Sequence, residues 1–418
     1  MKNDIKKVEL LMPAGDKNTF DVALRYGADA IYIGGEAFSL RAKAKNFSFD
    51  DMDVCIKKAH SNQKKVYITA NIYAHNYDIN NVEKYFNELN DLKPDGVLIS
   101  DLGVLNVAKR VLKNIDLHIS TQANTTNYET VNFYKELGVK RVVLARELSL
   151  KEIKEIKEKV EDIEIECFVH GAMCISYSGR CLLSSFMTGR SANNGLCTHP
   201  CRWKYSVSDE EKRYFITEEQ RPNEDYPIME NERGTYIFNS KDLCMIDHID
   251  DLIESGIDSL KVEGRMKTSL YIATVSRCYR KAIDDYYIDK NLYRKNIDLY
   301  KKEILNCTYR EYTTGFYYGK PNEEMQIYDN NTYVVGSVYY GTIEKVDGEY
   351  AYLEQKNKFS VNDVLIVMKP DFRNIEVKVL EMYDMETLEK INTCPHSKQQ
   401  LKIKFDKEVE PMDILRSK

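Results

Sequence analysis

Cysteine supplies the first chemical signal. The chain carries ten, and Cys174, Cys181, Cys197 and Cys201 fall within 28 residues, where an even spread would put fewer than one. With Cys244 the spacing reads C-x6-C-x15-C-x3-C-x42-C. Thiolates gathered on a short glycine-rich segment bind zinc or an iron–sulfur cluster. Structural zinc sites show two close pairs, and only Cys197 and Cys201 form one here, so irregular spacing favours a cluster over zinc. Buried or free thiols are the third reading. Five candidates for four places leave one spare. Cys55, Cys167, Cys278, Cys307 and Cys394 are scattered and read as small core hydrophobes.

A second signal is a recurring polar residue just after an apolar run: Asn71, Asp101, Gln122 with Asn124, Arg146 with Glu147, His170, Lys241 with Asp242, and Glu263 with Arg265. One such residue is usually a cap or turn former. The repetition predicts a shared functional mouth. His170, before Gly171, reads either as a hydrogen-bonded turn histidine or as an acid/base group. Glu164 and Glu166 share a strand face inside the core, where a buried carboxylate needs a partner such as Arg146 or Lys261. Arg180, Arg190, Arg202 and Lys204 interleave with the cysteines beside Tyr177, Trp203 and Tyr205. Cations among aromatics hold phosphates and stack on unpaired bases; a solvated loop is the plainer reading. Motifs of the HExxH, GxSxG and Walker A types are absent.

These residues need elements to position them. Strand candidates at Val8–Met12, Ala30–Gly35, Val66–Asn71, Gly96–Asp101, Leu117–Thr121, Arg141–Arg146, Ile163–Val169 and Ser259–Glu263 alternate with amphipathic stretches. Eight strand–helix units of about 30 residues predict a parallel sheet closed into a (β/α)8 TIM-like barrel; an open doubly wound sheet is the alternative. Residues 1–290 are assigned to the barrel, with a Cys-rich insertion over 172–234 leaving the seventh strand at the face where barrel enzymes build active sites. Thr235–Asn239 is a ninth strand candidate at its end. A polar, Tyr-rich connector covers 291–330. From 331 to 418 short alternating strands and turns predict a small all-β barrel domain.

Among 418 residues, 60 Lys+Arg against 66 Asp+Glu give a net charge of −6, with 43% hydrophobic residues. Disorder is excluded as the main state. An RNA surface would have to be a local basic patch. Neither a run of roughly 18 apolar residues nor an apolar core at Met1–Lys7 occurs, so no membrane association and a cytoplasmic location are expected.

The segment Glu166–Cys174, ECFVHGAMC, followed by Ser178–Ser184, SGRCLLS, resembles the collagenase-like peptidase family U-32. The resemblance extends through Leu11–Gly15, Tyr26–Ala30, Ser120–Asn124, Arg146–Ser149, Asn239–Leu243 and Lys261–Arg265, and the β module looks like the family's C-terminal domain. Within the family the nearest branch resembles the tRNA hydroxylation proteins. That resemblance implies oxygen-independent hydroxylation of wobble uridine to 5-hydroxyuridine, a 4Fe-4S cluster, a prephenate-derived hydroxyl source and tRNA as partner. It implies Cys174, Cys181 and Cys197 as ligands, with Cys244 preferred over the competing Cys201 for the fourth place. Catalytic candidates are His170, Glu166, Arg146 and Glu263. Substrate-contact candidates are Gln122, Asn124, Arg180, Arg202, Lys241 and Arg265. Collagenase-like peptidase activity is the rival. A cluster-bearing assembly subunit with a protein partner is the third class.

Overall fold

Eight parallel strands close on themselves. In chain order they are β1 (Glu9–Pro13), β2 (Ala30–Gly34), β3 (Lys65–Ala70), β4 (Gly96–Ile99), β5 (Asp116–Ile119), β6 (Arg141–Val143), β7 (Glu164–Ala172) and, after the insertion, β12 (Ser259–Val262). Ser259 on β12 pairs with Glu166 on β7 and with Glu9 on β1, which closes the barrel and removes the open-sheet alternative. The computed structural model describes residues 7–39, 46–174, 176–178, 180–188, 190, 197–198, 200–202, 214–217, 225–231, 234–236, 240–319, 333–396 and 398–418, without the side chains of 186, 187, 202, 214–217, 225–231 and 234–236.

Helices α1 (Lys17–Arg25), α2 (Phe49–Ser61), α3 (Asn76–Leu92), α4 (Leu102–Val111), α5 (Tyr128–Glu136) and α6 (Leu150–Lys159) return each strand to the next. Their starts are written locally. Asp16 accepts from the Thr19 amide at 2.9 Å while Thr19 reaches back, a capping box on α1. Ser149 and Glu152 do the same on α6. Such caps stabilise by about 1 kcal/mol each. Asp101 caps α4 through the Val104 amide, so this strand-end carboxylate serves the helix.

The insertion carries α7 (Leu183–Thr188) and an antiparallel trio, β8 (Tyr214–Thr217), β9 (Asp225–Asn231) and β10 (Gly234–Tyr236). The expected strand at Thr235–Asn239 is thus the last strand of that trio as far as Tyr236; Ile237–Asn239 lie outside the described residues. The chain re-enters through β11 (Asp242–Cys244), which runs antiparallel to β7 and sets Asp242 opposite Ala172 and Cys244 opposite His170. Three residues are too few for a period-2 signal, so this strand is invisible in the sequence.

After α8 (Ile249–Glu254) and β12, the long helix α9 (Ser269–Ile288) completes the ring. The stretch expected as a polar connector begins as two packed helices, α10 (Lys290–Lys295) and α11 (Ile297–Ile304). Their Tyr293 and Tyr300 are buried, with near-parallel rings at 6.0 Å. Strands β13 (Thr308–Tyr309) and β14 (Tyr312–Thr313) follow, and β14 extends the barrel sheet beside β11 while β13 pairs with β15 (Val334–Val335).

The C-terminal module is a seven-stranded antiparallel sheet curled into a half-barrel with its own core, which includes Ile343, Leu365, Val367 and Leu401. It is seated on α1 and α9. The Tyr26 hydroxyl donates to the Met368 carbonyl at 2.6 Å. The buried Arg277 guanidinium donates to the Lys369 carbonyl at 2.9 Å and pairs with Glu303. Among the described residues no helix is long and apolar enough to cross a membrane.

Candidate functional site at the barrel mouth

Inward side chains come from alternate residues of each strand, so the barrel interior is built in layers. The layer at the N-terminal ends is ionic. Arg141 bridges Glu9, Glu164 at 2.7 Å and Glu166 at 2.9 Å. Lys261 meets Glu166 at 2.6 Å. Burial alone would raise the Glu166 carboxyl, but Lys261 and Arg141 outweigh it and hold the group below the usual carboxylate range. Glu166 therefore sits six residues before the end of β7 as a saturated structural ion, which corrects its expected catalytic place. Lys261 is a partner as expected, and Arg141 takes the part foreseen for Arg146.

Arg146 lies on the rim. Its Nη1 donates to the Ala172 carbonyl at 2.7 Å and its guanidinium covers the Phe168 ring at 4.4 Å. Burial raises the carboxyl of its neighbour Glu147. Next along the rim, Asn71 donates to Ser120 at 3.2 Å. The Tyr73 hydroxyl and the Asn124 amide, the latter at 2.8 Å, both donate to the Gln122 carbonyl. Asn124 adopts φ +56°, a left-handed conformation that asparagine tolerates, and its amide reaches the Ser178 carbonyl at 3.5 Å. Arg180 covers the Tyr73 ring at 4.7 Å. Gln122, Asn124, Arg146 and Arg180 thus meet on one arc.

Arg265 belongs to the opposite arc, as a brace. Its Nη1 donates to Ser39 at 2.8 Å, and a Cβ on Gly15 or Gly34 would meet its backbone oxygen at 2.1 Å or its guanidinium at 2.0 Å. The Glu263 backbone is fixed on both sides, its N–H donating to the His170 carbonyl and its carbonyl accepting from Tyr271. Lys241 pairs with Glu311 at 3.0 Å beside β11. Arg202 closes a short turn over Pro200–Arg202, and its side chain lies outside the described residues, as do Lys204, Trp203 and Tyr205.

His170 does not face the mouth. The register shifts between Lys261 and Val262 opposite β7. The His170 ring is packed among Tyr312 at 5.3 Å, Tyr279 at 5.6 Å and Tyr271 at 5.9 Å. It is 1% exposed, and burial pushes its imidazole down to about 3. A ring neutral at pH 7 and sealed among tyrosines is not an acid/base group at the mouth, which corrects that expectation.

The cysteines divide by exposure. Cys174 is exposed, Cys181, Cys197 and Cys201 are half-buried, and the other six are buried. Cys181 lies two residues before α7. The Thr198 amide donates to Ser184 on that helix at 3.0 Å, and the two hydroxyls stand 3.1 Å apart. This clamp ties the stretch after Cys197 to helix α7, which follows Cys181, and Cys201 lies in the next turn. Cys244 is buried on β11 and held opposite His170. Cys201 shares the rim loop and the partial exposure of Cys181 and Cys197, whereas Cys244 does not. Four soft thiol donors on one rim loop fit an iron–sulfur cluster. Among the described residues, no three His, Cys, Asp or Glu side chains close around a common metal position.

One arc of the mouth has a property the sequence gives no sign of. Gln122 is 2% exposed, yet among the described residues neither its amide oxygen nor its nitrogen has a hydrogen-bond partner. The same holds for Ser100 Oγ, Asn124 Oδ1, Thr125 Oγ1 and Arg146 Nε. These six atoms lie on the adjoining loops after β4, β5 and β6. Ser100 and Thr125 were missed in the sequence, although Ser100 follows its strand as directly as Asn71 does.

Comparison with known proteins gives consistent matches. The pattern for peptidase family U32 matches residues 15–327, and that for the U32 C-terminal domain matches 332–416. A Bacillus subtilis protein named tRNA hydroxylation protein P1 is 37% identical over 416 residues, covering 98% of this chain and 95% of that one. An uncharacterized protease of Methanocaldococcus jannaschii is 41% identical over 322 residues, covering 76% and 74%. A 23S rRNA 5-hydroxycytidine synthase of Escherichia coli is 33% identical over 278 residues, covering 66% of this chain and 39% of that one.

Proposed function

The chain belongs to peptidase family U32, and from that premise we propose that it is a tRNA-hydroxylating enzyme that converts wobble uridine to 5-hydroxyuridine without molecular oxygen. The observation that carries the reading is the arc of unpartnered buried polar atoms beneath a rim loop of accessible thiols. A base inside a stack cannot be reached, so the anticodon nucleotide must be extruded into the mouth. There the Gln122 arc offers donors and acceptors that no protein group uses. Arg180, exposed over Tyr73, faces the path of the backbone phosphates. Arg146 supplies the cation for a carboxylate of a prephenate-derived hydroxyl source.

Cys174, Cys181, Cys197 and Cys201 would hold a 4Fe-4S cluster, which supplies one-electron redox chemistry when bound. The chain's own residues bind and orient the base, exclude water and keep the rim in place. Peptide hydrolysis through a cysteine and His170 is disfavoured, because His170 is turned away among tyrosines.

Two measurements test the reading. Mass spectrometry of nucleosides from tRNA should show 5-hydroxyuridine derivatives lost in cells lacking the protein and restored by it; unchanged nucleosides would sink it. Anaerobically purified protein should contain iron and sulfide. Cys201→Ser should lose both while Cys244→Ser keeps them, and the reverse pattern would return the fourth place to Cys244.

A further inference from the structure

The Gln122 side chain is the least explained group in the described interior. A buried amide without partners forfeits the hydrogen bonds it made in water, and native structures keep few such groups unless something fills the gap. Here both ends of the amide are empty, and the neighbouring Ser100, Asn124, Thr125 and Arg146 atoms are empty with it. The backbone around them is not loose. The Gln122 carbonyl accepts from both Tyr73 and Asn124, and Thr121 donates to the Leu144 carbonyl at 3.0 Å. The chain is thus held firmly and the amide left free, the arrangement of a preorganised recognition group.

A primary amide presents one acceptor beside one donor in a plane. Its complement is a planar ligand edge with a donor beside an acceptor. Uracil has this edge in its imide N–H and the adjacent 4-carbonyl. We propose that Gln122 is the base-reading residue of the mouth, its Oε1 accepting from the imide N–H of the extruded uracil and its Nε2 donating to the 4-carbonyl. This rests on the tRNA reading above and adds to it the residue that recognises the base. With the imide edge on the β5 loop, the edge bearing carbon 5 is turned toward the opposite arc, built by β12, β1 and β2. Ser100, beside Gln122 on the β4 loop, supplies a hydroxyl for whichever carbonyl lone pair the amide leaves open.

The test uses anticodon stem–loop RNAs that carry either uridine or 3-methyluridine at the wobble position, since the methyl group removes the imide donor. The wild-type protein should bind and hydroxylate the uridine RNA roughly 10- to 100-fold better than the methylated one. Gln122→Ala should lower kcat/KM for the uridine RNA by a similar factor and erase the difference between the two RNAs. Gln122→Glu, which keeps the acceptor and loses the donor, should fall between wild type and Gln122→Ala for the uridine RNA. A merely structural role would weaken both RNAs equally and leave their ratio unchanged, and that result would overturn the assignment while the enzyme's function stood. A wild-type protein that discriminates by less than twofold would overturn it too. If the wild type hydroxylates neither RNA, the function reading fails and the role of Gln122 with it.

Discussion

The barrel carries two polar layers, and they are built on opposite terms. At the N-terminal end Arg141, Lys261, Glu9, Glu164 and Glu166 saturate one another. At the mouth Gln122, Ser100, Thr125 and Arg146 keep buried atoms that nothing among the described residues satisfies. Both layers are polar and both are buried, so neither property marks the site. What separates them is whether the hydrogen-bonding account closes within the chain. A closed account specifies the fold; an open one specifies something that must come from outside.

The comparison can be broken first at the closed layer. Arg141→Met takes the shared cation from Glu9 and Glu164, leaves Glu166 with Lys261 alone, and should cost about 3–5 kcal/mol of stability, read as a shift in the denaturation midpoint. A loss under 1 kcal/mol would mean the layer does not hold the barrel together.

A smaller effect concerns pH. Burial, and then the charges of Arg141 and Lys261, keep the His118 imidazole well below its ordinary value, and burial with the charge of Lys267 does so for His170. Each ring binds fewer protons folded than unfolded. Their contribution is therefore complete above about pH 6.5 and lost as pH falls below it, by up to about 1.4 kcal/mol per pH unit for each ring. Between pH 5 and 6.5 the depressed Glu166 carboxyl adds nothing, because its stabilisation fades only below the ordinary glutamate value. His118→Asn should halve the slope of stability against pH in that window. An unchanged slope would show that His118 titrates normally.

The smallest effect should run the other way. Gln122→Met replaces an unsatisfied amide by an apolar chain of similar length, so stability should hold or rise by about 1 kcal/mol while hydroxylation falls. A destabilised Gln122→Met protein would mean the mouth is as closed as the layer below it.

The barrel was legible because each strand is an apolar run and most barrel helices start on a capping side chain, as at Asp16 and Ser149. The thiol loop was legible from cysteine clustering alone. The two polar layers were not told apart. Glu166 and Gln122 look alike in sequence, each a polar residue in or just past an apolar strand, and their difference lies in partners that come from strands far along the chain. Arg141 meets Glu9 across 132 residues. His170 was misplaced because the register shift opposite β7 has no sequence mark. Strand β11, which carries Cys244, is too short to see in the sequence.

Arg265 gives the rim a history as well as a shape. Its backbone oxygen fills the space beside Gly15 and its guanidinium the space beside Gly34. Every single-nucleotide missense change of either glycine adds at least a Cβ, which would collide with the backbone of residue 265 at Gly15 and with its side chain at Gly34, while shortening the arginine would leave a void beside Gly34 and unseat Ser39 and Thr69. Gly15 therefore stays fixed whichever residue stands at 265, and Gly34 and Arg265, far apart in the chain, are inherited as one. Among descendants of this chain they should change together or stay fixed, and that arc of the mouth should drift more slowly than the thiol loop above it.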